Sequence, residues 1–245
     1  MVSKRTRIIE GNDASPHSIP WQVGLLFVDD RYEHIQCGGT LLTDKHVLTA
    51  AHCFCVCPDC RRQNCPEFIT ALPCLNTSTL LLRRASDIRV VVAEHNQYDS
   101  TDGIRHEIRK FTNHPQFDKD SLDYDFSMIH LTLPAELGDR AIPACLPDLR
   151  FSDDKLVGKY VTVSGWGVTD FNRSLNFPRV FPDVLQTVDV PVISHEECRE
   201  AWLKNSNGQE WIKKSMVCAG YSSGKKGPLA RDSGGRIVIF LKNSW

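Results

Sequence analysis

The apolar residues of this chain fall in short runs that are rich in β-branched side chains and bounded by Gly, Pro, Asn or Asp. This pattern is typical of β-strands rather than helices. It predicts strands at residues 21–27, 39–42, 88–93, 126–131, 160–164, 186–190 and 237–241. Many short strands with little helix indicate a barrel or a sandwich, and a single all-β unit can occupy all 245 residues.

One segment carries a helix signal. Residues 194–203 begin with Ser194, a good N-cap, and Glu197 follows three residues later in the position of a capping-box partner. No apolar stretch approaches the roughly 18 residues of a membrane span, so we expect no membrane partner.

Composition narrows the class of protein. A net charge of −1 makes nucleic acid an unexpected partner. Ten cysteines favour disulfides and an oxidising compartment, and therefore a secreted, extracellular protein. The glycosylation sequons at Asn76 and Asn172 are compatible with secretion.

Residues 54–75 interrupt the strand pattern with three prolines and a cluster of cysteines, namely Cys55, Cys57, Cys60, Cys65 and Cys74. We interpret this segment as a surface loop held by disulfides. Neighbouring thiolates also suit zinc, so a zinc-binding module remains an alternative. Because secreted chains favour disulfides, we expect no metal and no cofactor.

Three strings carry candidate chemistry for nucleophilic catalysis, which needs a hydroxyl, a base and an orienting carboxylate. His52 lies in VLTAAHC, at the end of an apolar strand, although an ordinary buried histidine would fit there too. Asp125 lies in DYDFSMIHL before another strand, with Asp123 as the competing carboxylate. Ser233 lies in RDSGGR, which by itself is also typical of a turn.

The order His, Asp, Ser of these strings is similar to that of the chymotrypsin-type proteases. Further strings agree over nearly the whole chain: RIIEG, PWQVGLL, CGGTLL, CLPD, VSGWGVT, VDVPVI and MVCAGY. The sequence therefore resembles the trypsin-like (chymotrypsin-fold, peptidase family S1) serine proteases. The resemblance implies an all-β fold of two perpendicular six-stranded antiparallel barrels, with the active site in the cleft between them.

The resemblance also implies a role for each candidate. His52 would be the general base, Asp125 its orienting partner, and Ser233 the nucleophile that forms an acyl-enzyme. The backbone amides of Arg231 and Ser233 would form the oxyanion hole. Protein or peptide substrates follow from this chemistry.

Activation by cleavage is implied as well. Residues 1–7 would be the remnant of an activation segment without a signal peptide, and residues 8–245 the protease domain. Another protease would cut after Arg7, and the new ammonium group of Ile8 would pair with Asp232, so the chain as written would be a zymogen. We expect it to be a monomer.

Two disulfides follow from the resemblance, Cys37 with Cys53 and Cys198 with Cys218. The other six cysteines, Cys145 and the five of the loop, have fifteen possible pairings.

Four departures from the family pattern bear on activity. Arg231 replaces an oxyanion-hole glycine, and Leu229 replaces a cysteine that staples the specificity pocket. Gly227 stands at the floor of that pocket, where trypsins carry an aspartate, so an uncharged substrate side chain is expected. The chain ends at Trp245, so the second barrel is expected to be incomplete at its C-terminal end. A catalytically inactive homologue that acts by binding is therefore the alternative function.

Overall fold

A computed structural model describes residues 11–28, 33–56, 81–147, 155–167, 181–206, 210–221 and 237–238. The strands within these ranges are, in chain order, β1 (Asn12–Asp13), β2 (Gln22–Val28), β3 (Glu33–Leu41), β4 (His46–Thr49), β5 (Cys55–Val56), β6 (Leu81–Leu82), β7 (Ile88–Val92), β8 (Ile104–Asn113), β9 (Ser127–Leu131), β10 (Tyr160–Gly165), β11 (Gln186–Ile193), β12 (Cys218–Ala219) and β13 (Ile237–Val238). One α-helix, α1 (His195–Asn205), lies between β11 and β12. The all-β prediction is confirmed.

Six antiparallel strands close into a barrel in the order β2-β3-β4-β9-β8-β7. Alternate residues of β9 point inward, so that Ser127, Ile129 and Leu131 are buried while the residues between them are partly exposed. This period of two is what a strand with one solvated face requires. Most of the buried apolar side chains of the six strands form one continuous core.

Strand β8 is the longest of the strands that the apolar pattern does not predict. Its sequence IRHEIRKFTN is mostly charged or polar, and only Ile108 among its ten residues is fully buried. Barrel closure gives it hydrogen-bonding neighbours on both sides, β7 and β9. Backbone pairing rather than side-chain burial therefore holds this strand in the sheet.

The second half of the described chain forms a five-stranded sheet, in which β1, β11, β10 and β13 follow in order and β12 pairs with β11. Valines of β10 and β11 form its core together with Leu156. The predicted strand at 237–241 is represented by β13, and its remainder lies outside the described residues. The described part of the chain thus contains the first predicted barrel in full and the second only as this sheet.

Helix α1 begins as the capping box predicts. The Glu197 amide donates to Ser194 Oγ at 3.2 Å, and the Ser194 amide donates to Glu197 Oε2 at 3.1 Å. These bonds satisfy amides that would otherwise have no partner at the helix start. None of the helices in the described ranges is both long and apolar enough to cross a membrane.

The barrel and the sheet are in direct contact. Leu26 and Val91 of the barrel share an apolar cluster with Trp166 and Leu185 of the second half. A buried polar bond adds to it, in which Ser164 Oγ donates to Gln22 Oε1 at 2.7 Å. These contacts hold the barrel against the sheet.

The insertion loop lies between β5 and β6, which pair with each other at its base. Residues 57–80 lie outside the described residues, and with them Cys57, Cys60, Cys65, Cys74 and Asn76. The loop interpretation and the pairing of these cysteines remain predictions.

Candidate active site

His52 is placed by the strand that precedes it. Strand β4 ends at Thr49, the extended residue Ala50 follows, and His52 is the second residue of a short 3-10 helix, Ala51–Phe54. The neighbouring Cys53 forms a disulfide with Cys37 of β3. The histidine backbone is therefore anchored to two strands of the barrel.

Asp125 reaches the same point from the adjacent strand. In the antiparallel ladder of β4 and β9, Thr49 pairs with Ser127. Because the strands are antiparallel, Asp125, two positions before Ser127, lies beside the residues that follow Thr49, which include His52. This register brings together two residues that are 73 positions apart in the sequence.

The two side chains form a two-point contact. Asp125 Oδ2 lies 2.6 Å from His52 Nδ1, and Asp125 Oδ1 accepts the backbone N–H of His52 at 2.8 Å. An ionised carboxylate only accepts hydrogen bonds, so Nδ1 carries the proton and Nε2 is left with its lone pair. Because both side chains are largely buried, with exposed fractions of 13% and 19%, water competes weakly for this contact. The arrangement suits a general base acting through Nε2.

Asp123, the competing carboxylate, contacts Tyr124 and Ser215 rather than His52. Its Oδ1 accepts the Tyr124 amide at 3.0 Å and the hydroxyl of Ser215, which belongs to the second half of the chain. The Tyr124 ring stacks on His114, with ring centroids 4.8 Å apart. These contacts hold the loop that leads into Asp125.

That loop is also strained. Leu122 and Tyr124 have positive φ values of 54° and 51°, a conformation that costs non-glycine residues energy and persists only where surrounding contacts impose it. The contacts of Asp123 and Tyr124 supply that constraint, and the carboxylate of Asp125 is thereby held in place.

Cys55 lies near the pair but is a poor nucleophile. Burial raises the pKa of its thiol to about 11, and the neighbouring carboxylate of Asp125 adds to the effect. The thiol donates weakly to the Ala51 carbonyl at 3.8 Å. Since thiolates rather than thiols are reactive, Cys55 does not rival a hydroxyl nucleophile at neutral pH.

One group of possible metal ligands occurs among the described residues, formed by Cys37, His52 and Cys53. Its two sulfurs are joined in a disulfide and are not thiolates. This geometry does not suit a metal ion.

The second implied disulfide, Cys198 with Cys218, joins α1 to β12. Cys145 is exposed on the segment that follows the barrel. The remaining site predictions lie outside the described residues and stay predictions: Ser233, Arg231, Asp232, Gly227, Leu229, Arg7, Ile8 and Asn172.

Glu94 is a buried acid that the strand pattern did not single out. It is 8% exposed, at the end of the apolar run RVVVA, and its Oε1 has no hydrogen-bond partner among the described residues. Burial raises the pKa of its carboxyl to about 7, aided by the neighbouring charges of Asp102 and Asp99 and opposed by Arg105. The sequence signal available was a charged residue directly continuing a strand.

Replacement of Glu94 by Gln is expected to stabilise the protein above pH 7. Because the folded-state pKa is raised, the stability that Glu94 contributes is complete below about pH 4.5 and is lost as the pH rises through about 7. At 1.36 kcal/mol per pKa unit, the difference between about 4.5 and about 7 corresponds to a loss on the order of 3 kcal/mol. Thermal unfolding of both proteins from pH 5 to 8 measures it. Parallel stability curves for the two proteins would contradict the assignment.

Comparison with known proteins agrees with the family resemblance of the sequence. The sequence matches the family model for trypsin over residues 8–239. It is 29% identical to the proclotting enzyme of Tachypleus tridentatus over 240 residues, which cover 97% of this chain and 56% of that protein. It is 31% identical to mannan-binding lectin serine protease 1 of Mus musculus over 236 residues, covering 95% of this chain and 29% of that protein.

A third relative is the clotting factor G beta subunit of Tachypleus tridentatus, 30% identical over 235 residues that cover 95% of this chain and 66% of the relative. The chain thus spans between 29% and 66% of the length of these three relatives. The family match nevertheless extends over most of the described chain, including both halves and the His52–Asp125 pair. The chain therefore belongs to the trypsin family of serine-type endopeptidases.

Proposed function

We propose that this protein is a secreted serine endopeptidase, made as a zymogen, that hydrolyses peptide bonds through an acyl-enzyme. The observation that carries the proposal is the contact between His52 and Asp125, in which both carboxylate oxygens are engaged and Nε2 is left as the basic nitrogen. One carboxylate oxygen contacts the ring at Nδ1 and the other accepts the backbone N–H of the same residue, so the carboxylate is fixed relative to the ring that it orients.

In the proposed reaction, Ser233 Oγ attacks the scissile carbonyl carbon while His52 Nε2 takes the hydroxyl proton. The tetrahedral oxyanion is received by the backbone amides of Arg231 and Ser233. The C–N bond then breaks, and His52 returns the proton to the leaving amine. Water, deprotonated by the same nitrogen, releases the acyl group and restores the serine. Asp125 stabilises the imidazolium that forms in both halves of the reaction.

Activation is proposed to follow cleavage after Arg7 by another protease. The new ammonium group of Ile8 would pair with Asp232 and order the oxyanion loop. Secretion is supported by the two disulfides of the described chain, which form in oxidising compartments. Gly227 at the pocket floor supports cleavage after an uncharged side chain. The enzyme is proposed to act as a monomer on protein or peptide substrates.

A second candidate function rests on Arg231. This residue stands where the family pattern has the glycine of the oxyanion hole, and a Cβ restricts the backbone conformations open to that amide. Loss of one oxyanion donor lowers turnover by roughly a hundred- to a thousandfold. An inactive homologue that binds a partner through the retained fold is the corresponding alternative.

Labelling with a fluorophosphonate serine probe distinguishes the two. After cleavage at Arg7, we expect the probe to label the parent protein and not the Ser233→Ala variant. The variant lacks only the Ser233 hydroxyl and keeps the fold and the His52–Asp125 pair, so a difference in labelling reports on that hydroxyl alone. Equal labelling of the two proteins would leave the inactive homologue as the function.

A further inference from the structure

Three adjoining barrel strands carry a group of basic side chains on their outer face, which we call the basic patch. In the strand register, His46 of β4 pairs with His130 of β9, and His130 pairs in turn with Lys110 of β8. Arg109 precedes Lys110 in the chain and Lys45 precedes the first residue of β4, and both are exposed. Since neighbouring strands lie about 4.8 Å apart, the row spans about 10 Å.

The basic patch has no acidic partner within the described part of the chain. None of its five side chains takes part in an ion pair with a described residue, whereas Arg89, Arg140 and Arg199 each do. The His46 and His130 rings meet edge to face at 4.7 Å, and His46 Nδ1 lies 2.7 Å from Thr43 Oγ1. The positive charges are therefore left facing solvent together.

The charged groups that act on His130 are also all basic. Its pKa is lowered by partial burial and then by the positive charges of His46, Lys110 and Arg109. No carboxylate acts on it from β4 or β8, the two strands that pack against it. Close like charges that repel one another favour a bound anion that neutralises them.

The basic patch is separate from the catalytic pair. His46 and His130 lie at one end of the β4–β9 ladder, and the pair Thr49 and Ser127, beside His52 and Asp125, lies at the other. A ligand on this face would leave the catalytic histidine accessible.

We propose that the basic patch binds a sulfated polysaccharide. Regularly spaced sulfate groups match a row of cationic side chains on a sheet surface, and disulfide-bonded proteins occur in the oxidising compartments where such glycans are found. Nucleic acid is less suited, because Phe111, the aromatic residue of β8, packs against the barrel core and offers no face for base stacking. The proposal does not depend on proteolytic activity.

The two histidines make this binding dependent on pH. A bound polyanion favours the imidazolium form of a histidine, so we expect affinity to rise as the pH is lowered. Exposed ion pairs contribute at most about 1 kcal/mol each, so the double variant His46→Gln, His130→Gln is expected to bind roughly tenfold more weakly at pH 5.5. The difference should be smaller at pH 7.5.

Heparin is the probe, with affinity measured by calorimetry and by the salt concentration that elutes the protein from immobilised heparin. The charge variant Arg109→Gln, Lys110→Gln should lose most of the binding. The matched control Arg199→Gln, Lys204→Gln makes the same change in net charge on α1, where both residues lie within 4.0 Å of glutamates, and should bind like the parent.

An equal loss of binding in the α1 control would overturn the proposal, because it would show dependence on net charge alone. Equal affinity for duplex DNA, or for vesicles of anionic phospholipid, would overturn the assignment to a sulfated glycan. Circular dichroism of each variant excludes loss of folding as the cause.

Discussion

Replacement of Asp125 by Asn is expected to lower kcat by about ten thousandfold with little change in KM. The amide NH₂ of Asn would face His52 Nδ1. Nδ1 would then accept a hydrogen bond from the amide instead of donating one to a carboxylate. The ring proton would move to Nε2, and Nε2 could no longer take a proton from Ser233. Hydrolysis of a peptide substrate by the activated protein measures the effect.

The matched control for this variant is Asp123→Asn, two positions earlier in the same loop. The Asp123 carboxylate contacts Tyr124 and Ser215, and its contacts do not include His52. We expect only a few-fold change in kcat from this substitution. Comparable losses in the two variants would contradict the assignment of Asp125 as the residue that orients the histidine, and would indicate that the loop as a whole had moved.

Replacement of Asp232 by Asn, or of Ile8 by Gly, is expected to abolish most of the activity without unfolding the protein. In the proposed mechanism the ammonium group of Ile8 is buried after cleavage and needs the Asp232 carboxylate. Asp232→Asn removes one partner from a buried ion pair, which costs roughly 3–5 kcal/mol, whereas Ile8→Gly keeps the ammonium group and removes the apolar side chain beside it. This energy corresponds to a loss of about a hundred- to several thousandfold in the population of the active conformation.

The control for Asp232→Asn is Asp189→Asn in the same half of the molecule. Asp189 is exposed on β11 and accepts a hydrogen bond from Thr162 at 2.5 Å. Its substitution should leave hydrolysis unchanged. Full activity in cleaved Asp232→Asn would contradict activation through the new N-terminus, while leaving the roles proposed for His52 and Asp125 intact.

Much of the architecture could be predicted from local sequence. β2, β7, β9, β10 and β11 follow from short apolar runs rich in β-branched residues. In β9 and β11 the buried residues alternate, whereas β2 and β7 are buried on both faces. Helix α1 follows from its capping box. Strand β8 could not be found in this way, since its place in the barrel depends on backbone bonds to β7 and β9 rather than on an apolar pattern of its own.

The candidate site, too, could be predicted from the sequence only in part. The motifs around His52, Asp125 and Ser233 are sequence features, and their order identified the family resemblance. The choice between Asp123 and Asp125 is different, because both precede the same strand and have the same charge. It depends on which carboxylate the chain turns toward the histidine, and this is set by strained backbone at Leu122 and Tyr124 together with contacts across the molecule.

By itself, then, the sequence determined the strand-rich architecture, the helix start and the identity of the chemical groups. Tertiary structure alone decided that a carboxylate 73 positions from His52 meets its ring, and that His46, His130 and Lys110 form one row. It also decided that Glu94 is buried with no partner for Oε1 among the described residues. The physical reason is that local propensity reflects neighbours along the chain. Hydrogen-bond direction, burial and charge clustering depend instead on residues that only barrel closure brings together.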